Sequence, residues 1–95
     1  MSTEVSVRIP TILRTYTGGA AEVSVAPSPA TVTGVIEALE VSFPGIRARV
    51  VDDAGALRRF VNVYVGDEDV RFTEGLDTPT PGGTQLSVIP AVAGG

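Results

Sequence analysis

TVTGVIEALEVSFPG, Thr31 to Gly45, is the stretch that decides the fold. Val32, Ile36, Leu39 and Phe43 recur at helical spacing, with Glu37 and Glu40 turned outward. Thr31 is a good N-cap, and the helix should stop by Ser42 or Phe43, because Pro44 disfavours helical backbone before it and Gly45 follows. It is the one segment with a convincing helical period. Everything else in the chain alternates or turns, so one helix must cover one face of a sheet.

The strands lie on either side of that helix. Glu4 to Ile9 alternates, with Val5, Val7 and Ile9 on one face and Ser6 and Arg8 on the other. Pro10 ends it, and Thr17-Gly18-Gly19 allows a reversal into a second strand, in which Ala21, Val23 and Val25 alternate with Glu22 and Ser24. The connection is longer than a tight turn and is a candidate contact surface. Pro27-Ser28-Pro29 breaks the pattern before the helix. After it, Arg47 to Val51 reads equally as a short extra turn or an extended connection, leading to a turn at Asp52-Asp53-Ala54-Gly55.

Phe60 to Val65 is the strongest strand, with Val61, Val63 and Val65 on one side and Phe60, Asn62 and Tyr64 on the other. Gly66 to Asp69 turns it into a short partner expected at Val70 to Phe72. Thr73 to Gly83 is a loop with room for one helical turn, and Gln85 to Pro90 resumes alternation as the last strand. The expected fold is therefore α+β, a mixed sheet of about five strands with one main helix packed on one face. Two-helix ferredoxin-like folds fit poorly. The element order is that of the β-grasp, or ubiquitin-like, fold, with residues 1–90 as a single domain and 91–95 as a flexible C-terminal tail ending in Gly94-Gly95.

Composition narrows the function. The chain has 95 residues, no cysteine and no histidine, which removes thiol nucleophiles, the usual nitrogen and sulfur zinc ligands and the commonest general base. No nucleophile elbow, paired-acid motif or P-loop frames the remaining polar residues. The expectation is no catalytic residue and no metal site of its own; the acidic turn Asp67 to Asp69 lacks the spacing of a calcium loop. A net charge of −4 argues against nucleic acid. No apolar run is long enough to span a membrane, and MSTEVSVRIP has no signal-peptide pattern, so a cytoplasmic location is expected. Lysine is absent; all seven cations are arginine. Codon bias in a GC-rich genome explains that, and so does avoidance of side-chain amines beside an electrophilic chain end.

Three stretches carry a resemblance. "IPTILR" (Ile9 to Arg14) with "TGG" (Thr17 to Gly19), "RFVNVYVGDEDVRF" (Arg59 to Phe72) and "IPAVAGG" (Ile89 to Gly95) together resemble the MoaD/ThiS family of ubiquitin-like sulfur carrier proteins. Within it the likeness is strongest to the carriers of actinobacterial cysteine biosynthesis. The branch is less specific, because related carriers share "VNV" and "PAVAGG" with other final acceptors.

The resemblance implies a definite chemistry. A carboxylate is a poor electrophile, so in this family an E1-like adenylating and sulfurtransferase partner activates the terminal glycine with ATP and Mg²⁺, and sulfur then displaces AMP. Gly95 is thereby the expected thiocarboxylation site. Pro90, Ala91, Val92, Ala93 and Gly94 are the expected tail in the partner's channel, the diglycine passing where a Cβ would not. From Ile89 to Gly95 an extended chain reaches roughly 20 Å. The body must dock, and Phe60, Asn62, Tyr64 and Ile89, with tail-proximal Val92, are the candidate surface, although residues such as Phe60 and Tyr64 are more often ordinary sheet residues than binding hot spots.

By the same resemblance, a pyridoxal-phosphate cysteine synthase using O-phosphoserine would accept the sulfur, and a JAMM-type zinc peptidase would release cysteine and restore the Gly-Gly end. Pyridoxal phosphate and zinc belong to those partners. The alternatives are the small subunit of molybdopterin synthase, a carrier for thiamine or secondary-metabolite sulfur, a protein modifier, or a plain interaction module.

Overall fold

The computed structural model describes residues 3–90, so the tail expected over 91–95 lies outside it. Strand β1 (Val5–Arg8) pairs antiparallel with β2 (Glu22–Val25), Val5 opposite Val25 and Val7 opposite Val23. Helix α1 (Val32–Ser42) and a single turn α2 (Arg47–Val50) follow. Then come β3 (Val61–Val65), a two-residue β4 (Glu68–Asp69) and β5 (Gln85–Pro90). The sheet order is β2-β1-β5-β3-β4. β5 lies in the middle, parallel to β1 and antiparallel to β3. This is the β-grasp arrangement, and the mixed five-strand sheet with one main helix is as the sequence leads one to expect.

The core lies between α1 and the inner face of the sheet. Val32, Val35, Ile36 and Leu39 of α1 are buried with Val5, Val7, Val63, Leu86 and Val88. Val23 is only half-buried and Ala21 is exposed, because β2 is an edge strand with one neighbour. At the start of α1 the Gly34 N–H donates to Thr31 Oγ1 at 3.2 Å, the N-cap the sequence implies. At its end Phe43 is the C-cap and Gly45 takes φ 100°, a left-handed value that favours glycine.

Glu37 and Glu40 diverge from a simple outward face. Glu37 accepts from Arg47 Nε at 2.6 Å on the surface. Glu40 instead folds over the α1–α2 corner, accepting the Gly45 N–H at 3.0 Å and the Arg47 N–H at 2.9 Å. Those backbone donors, that of Gly45 first, hold its carboxyl below the ordinary glutamate value, with the Arg47 charge adding to them. A carboxylate with a lowered folded-state pKa stabilises the fold above the unfolded value, and that contribution is lost as pH falls through the folded value. Melting temperature should therefore drop on acidification through and below the ordinary carboxylate range. Glu40→Gln should shrink that dependence, as melting curves over a pH series would read; an unchanged slope would remove Glu40 from the acid response.

Two expectations are settled differently or more finely. Arg47 to Val51, open between a turn and an extended link, is the turn α2, which buries Ile46, Val50 and Val51. The short strand expected at Val70 to Phe72 is a 3₁₀ turn, and the strand is Glu68–Asp69 before it. The reason is local: the Asp69 carboxylate accepts the Arg71 N–H at 2.9 Å, and the Thr73 N–H bonds back to the Val70 carbonyl at 3.1 Å. Both donors are taken from any ladder. Val70 is fully buried and Phe72 is exposed, as a tight turn allows and an alternating strand does not.

Thr80 is fully buried, and its Oγ1 has no hydrogen-bond partner among the described residues. An unpaired buried hydroxyl costs about 1–3 kcal/mol. Thr80→Val replaces it with a methyl of the same shape and should raise stability by about 1 kcal/mol, measured by denaturant unfolding. A loss instead would show that the hydroxyl finds a partner.

Candidate interaction site at the exit of the last strand

The site is the place where β5 leaves the sheet. Leu86 and Val88 point into the core, while Ile89 points outward and is 46% exposed. Pro90, the last residue of β5, stands opposite Val61. The chain therefore exits beside the start of β3, with Phe60 immediately before it, 55% exposed.

The long β1–β2 connection builds the other side. Pro10 is followed by a 3₁₀ turn, Thr11–Leu13, that buries Leu13 and leaves Ile12 70% exposed. The loop is held from within: Arg14 Nε donates to the Ile9 carbonyl at 3.2 Å, and the buried Thr17 hydroxyl donates to the Ala20 carbonyl at 2.9 Å. The expected contact surface is thus a fixed shape. Tyr16 packs against the core and accepts Arg49 Nε at 2.7 Å on its hydroxyl, bringing α2 to the same place.

Two grooves flank the exit, of about 800 and 740 Å³. The first runs between Ile12, Leu13 and Tyr16 on one side and Arg58, Arg59 and Phe60 on the other. The second lies between Arg8 and Ile9, Ile12 and Arg14, and the outer side of β5. Val88 and Pro90 line both. Such a surface offers an apolar seat around the end of β5; among the described residues no cluster of three or more acidic groups is placed to hold a metal ion. No helix among them is long and apolar enough to cross a membrane.

The residues named from sequence are brought together unequally. Asn62 stands opposite Ile89 on the outer sheet face, and its Oδ1 accepts from Arg71 at 2.6 Å. Tyr64 is one step further along that face, opposite Ser87 and half-buried. Phe60 lies at the groove rather than in the strand. Ala91 to Gly95 lie outside the described residues. Sequence reasoning missed Ile12 and the arginines beside it; the one signal was the apolar pair Ile12-Leu13 set among polar residues between Pro10 and Gly18.

Fold and surface together define a small ubiquitin-like protein that presents the end of its central strand between two grooves lined by apolar residues and arginines. The ThiS family model matches residues 7–95, and the chain belongs to that family. It is 50% identical over 93 residues to the "Sulfur carrier protein CysO" of Mycobacterium tuberculosis, covering 96% of this chain and 98% of that one. Solved structures agree. A chain of the Amycolatopsis orientalis BexX/CysO complex superposes with a TM-score of 0.88 at 50% identity, covering 96% of this chain and 99% of that one. Mycobacterium tuberculosis CysO superposes at 0.87 with 48% identity, covering 93% and 99%. The chain is thus a homologue of sulfur carrier proteins, which are small carriers rather than catalysts.

Proposed function

We propose that this protein carries sulfur as a thiocarboxylate on Gly95 and donates it for cysteine biosynthesis in the cytoplasm. The observation that carries the reading is half identity to CysO proteins over almost the whole chain, beside a family match that runs to Gly95. The exit geometry supports it. Pro90 is anchored opposite Val61, so the body can seat against an enzyme while residues 91–95 enter it.

The Gly95 carboxylate attacks the α-phosphorus of ATP and releases pyrophosphate. Hydrosulfide supplied through the activating partner then attacks the acyl carbon, the C–O bond to AMP breaks, and AMP and a proton leave. The resulting thiocarboxylate attacks the alkene carbon of an aminoacrylate formed from O-phosphoserine on the synthase. An S-to-N acyl shift leaves cysteine in amide linkage, and a zinc peptidase hydrolyses it to regenerate the carrier. ATP, Mg²⁺, pyridoxal phosphate and zinc are held by these partners.

Intact mass spectrometry tests it in two stages. After incubation with an E1-like enzyme, ATP and a sulfur source, the chain should gain the mass difference of one oxygen replaced by sulfur. After addition of the synthase and O-phosphoserine, it should carry one cysteine residue. No first gain would sink the carrier reading; a first gain without the second would redirect the sulfur to another acceptor.

A further inference from the structure

The two grooves at the strand exit are lopsided in charge. Their lining holds Arg8, Arg14, Arg49, Arg58 and Arg59 but a single carboxylate, Asp52, in a chain whose net charge is −4. Asp52 is turned into its own loop, where Oδ1 accepts the Ala54 and Ala56 N–H groups at 2.9 and 3.0 Å. None of the five arginines makes an ion pair among the described residues; the pair found there is Arg47–Glu37, outside both grooves.

Three of the five are held in place by neutral groups. Arg14 Nε donates to the Ile9 carbonyl, Arg49 Nε to the Tyr16 hydroxyl and Arg58 Nε to the Ala48 carbonyl at 2.7 Å. Each guanidinium is positioned without a carboxylate to pair with, although that of Arg49 also lies over the Tyr16 ring, 5.9 Å from its centroid. Arg59 is exposed and makes no hydrogen bond among the described residues. Arg8 is the least free, since Glu22 stands opposite it across β1 and β2, although that carboxylate accepts the Gln85 amide at 3.1 Å.

Gathering like charges on an acidic protein costs self-repulsion, which an oppositely charged partner relieves. Positioned arginines around exposed Ile12, Phe60 and Ile89 match the anatomy of a protein interface, an apolar centre with a charged rim. Guanidinium is also the group best shaped for carboxylate. We infer that the enzyme surface receiving the tail is acidic around its entrance, with Asp and Glu side chains set about an apolar seat. Arg49, Arg58 and Arg59 steer and orient the carrier on it. This rests on the carrier reading above.

The test is stopped-flow association of the full chain with an E1-like enzyme that thiocarboxylates it, without ATP, over a salt series. The wild-type association rate should fall about tenfold from low to moderate salt. Arg59→Glu should lower the low-salt rate about fivefold or more, with the difference vanishing at high salt and the melting temperature unchanged. Arg47→Gln should match the wild type. Arg59 is the primary variant because the hydrogen bonds of Arg49 and Arg58 also hold the fold. A rate flat in salt, with Arg59→Glu indistinguishable from wild type and thiocarboxylation intact, overturns this inference and leaves the carrier reading standing. A loss confined to KM for ATP assigns the arginines to the nucleotide and overturns it equally. A wild-type chain that is never thiocarboxylated overturns the carrier reading and this inference with it.

Discussion

Removal of Gly94 and Gly95 should abolish thiocarboxylation and leave the melting temperature where it was. Neither glycine has a side chain to bury, and the core among the described residues is built between Val5 and Val88, so stability should change by less than about 0.5 kcal/mol. The shortened chain ends at Ala93. On the carrier reading its carboxylate would stop roughly 7 Å short of the reaction centre, and its Cβ would have to enter the channel proposed for the diglycine. Gly94→Ala keeps the length and adds one methyl, so it should slow activation with folding intact. Activity by intact mass and melting temperature in the same preparations make the comparison. A truncated chain still thiocarboxylated near the full-length rate would refute the assignment of Gly95.

Gly34→Ala should be among the most damaging single changes to the fold, against what helix propensity says. Alanine is favoured over glycine in a helix interior by about 1 kcal/mol. Here, however, a Cβ at Gly34 would lie 1.8 Å from the Pro29 carbonyl oxygen and 2.9 Å from its carbon. That carbonyl cannot simply retreat, because it accepts the Thr31 N–H at 2.8 Å, and Thr31 is the N-cap of α1. Relief would move either the helix start or the segment that enters it, at the seam between α1 and the connection from β2. Overpacking of this kind costs about 1–3 kcal/mol, more when backbone must shift, so a net loss of at least about 2 kcal/mol is expected. Denaturant unfolding reads it directly, with a modest gain as the result that would refute the close approach. Gly34→Ser should behave similarly, which separates bulk from propensity.

How much of this was legible depended on whether the determinant was local. The α1 boundaries follow from Thr31, Pro44 and the spacing of Val32, Ile36 and Leu39, because capping and periodicity act within a few residues. The β1, β3 and β5 alternations were equally plain. Val70 to Phe72 was misread because one side chain, Asp69, diverts a backbone donor, and apolar content alone does not reveal that. Gly34 reads from sequence as a weak point in a helix; its necessity lies in the approach of Pro29. The docking face was half legible. Phe60 and Ile89 stand out by type, whereas the arginines converge from β1, the loop after it, α2 and the approach to β3, which only the fold brings together.

The central position of β5 also bears on when this protein can first act during its own synthesis. Its parallel pairing joins residues 6–8 to residues 85–87, and its other side pairs with β3. Nearly the whole chain must leave the ribosome before the middle of the sheet can close, and pairings so distant in sequence make folding comparatively slow. Until then β1 and β3 each lack their shared neighbour, and the nascent chain exposes unpaired strand edges. The strand from which the proposed tail leaves is thus the last strand of the sheet to be made. On the carrier reading, a chain that presents this strand end to a partner has necessarily closed its sheet, so the presentation itself reports that folding is finished.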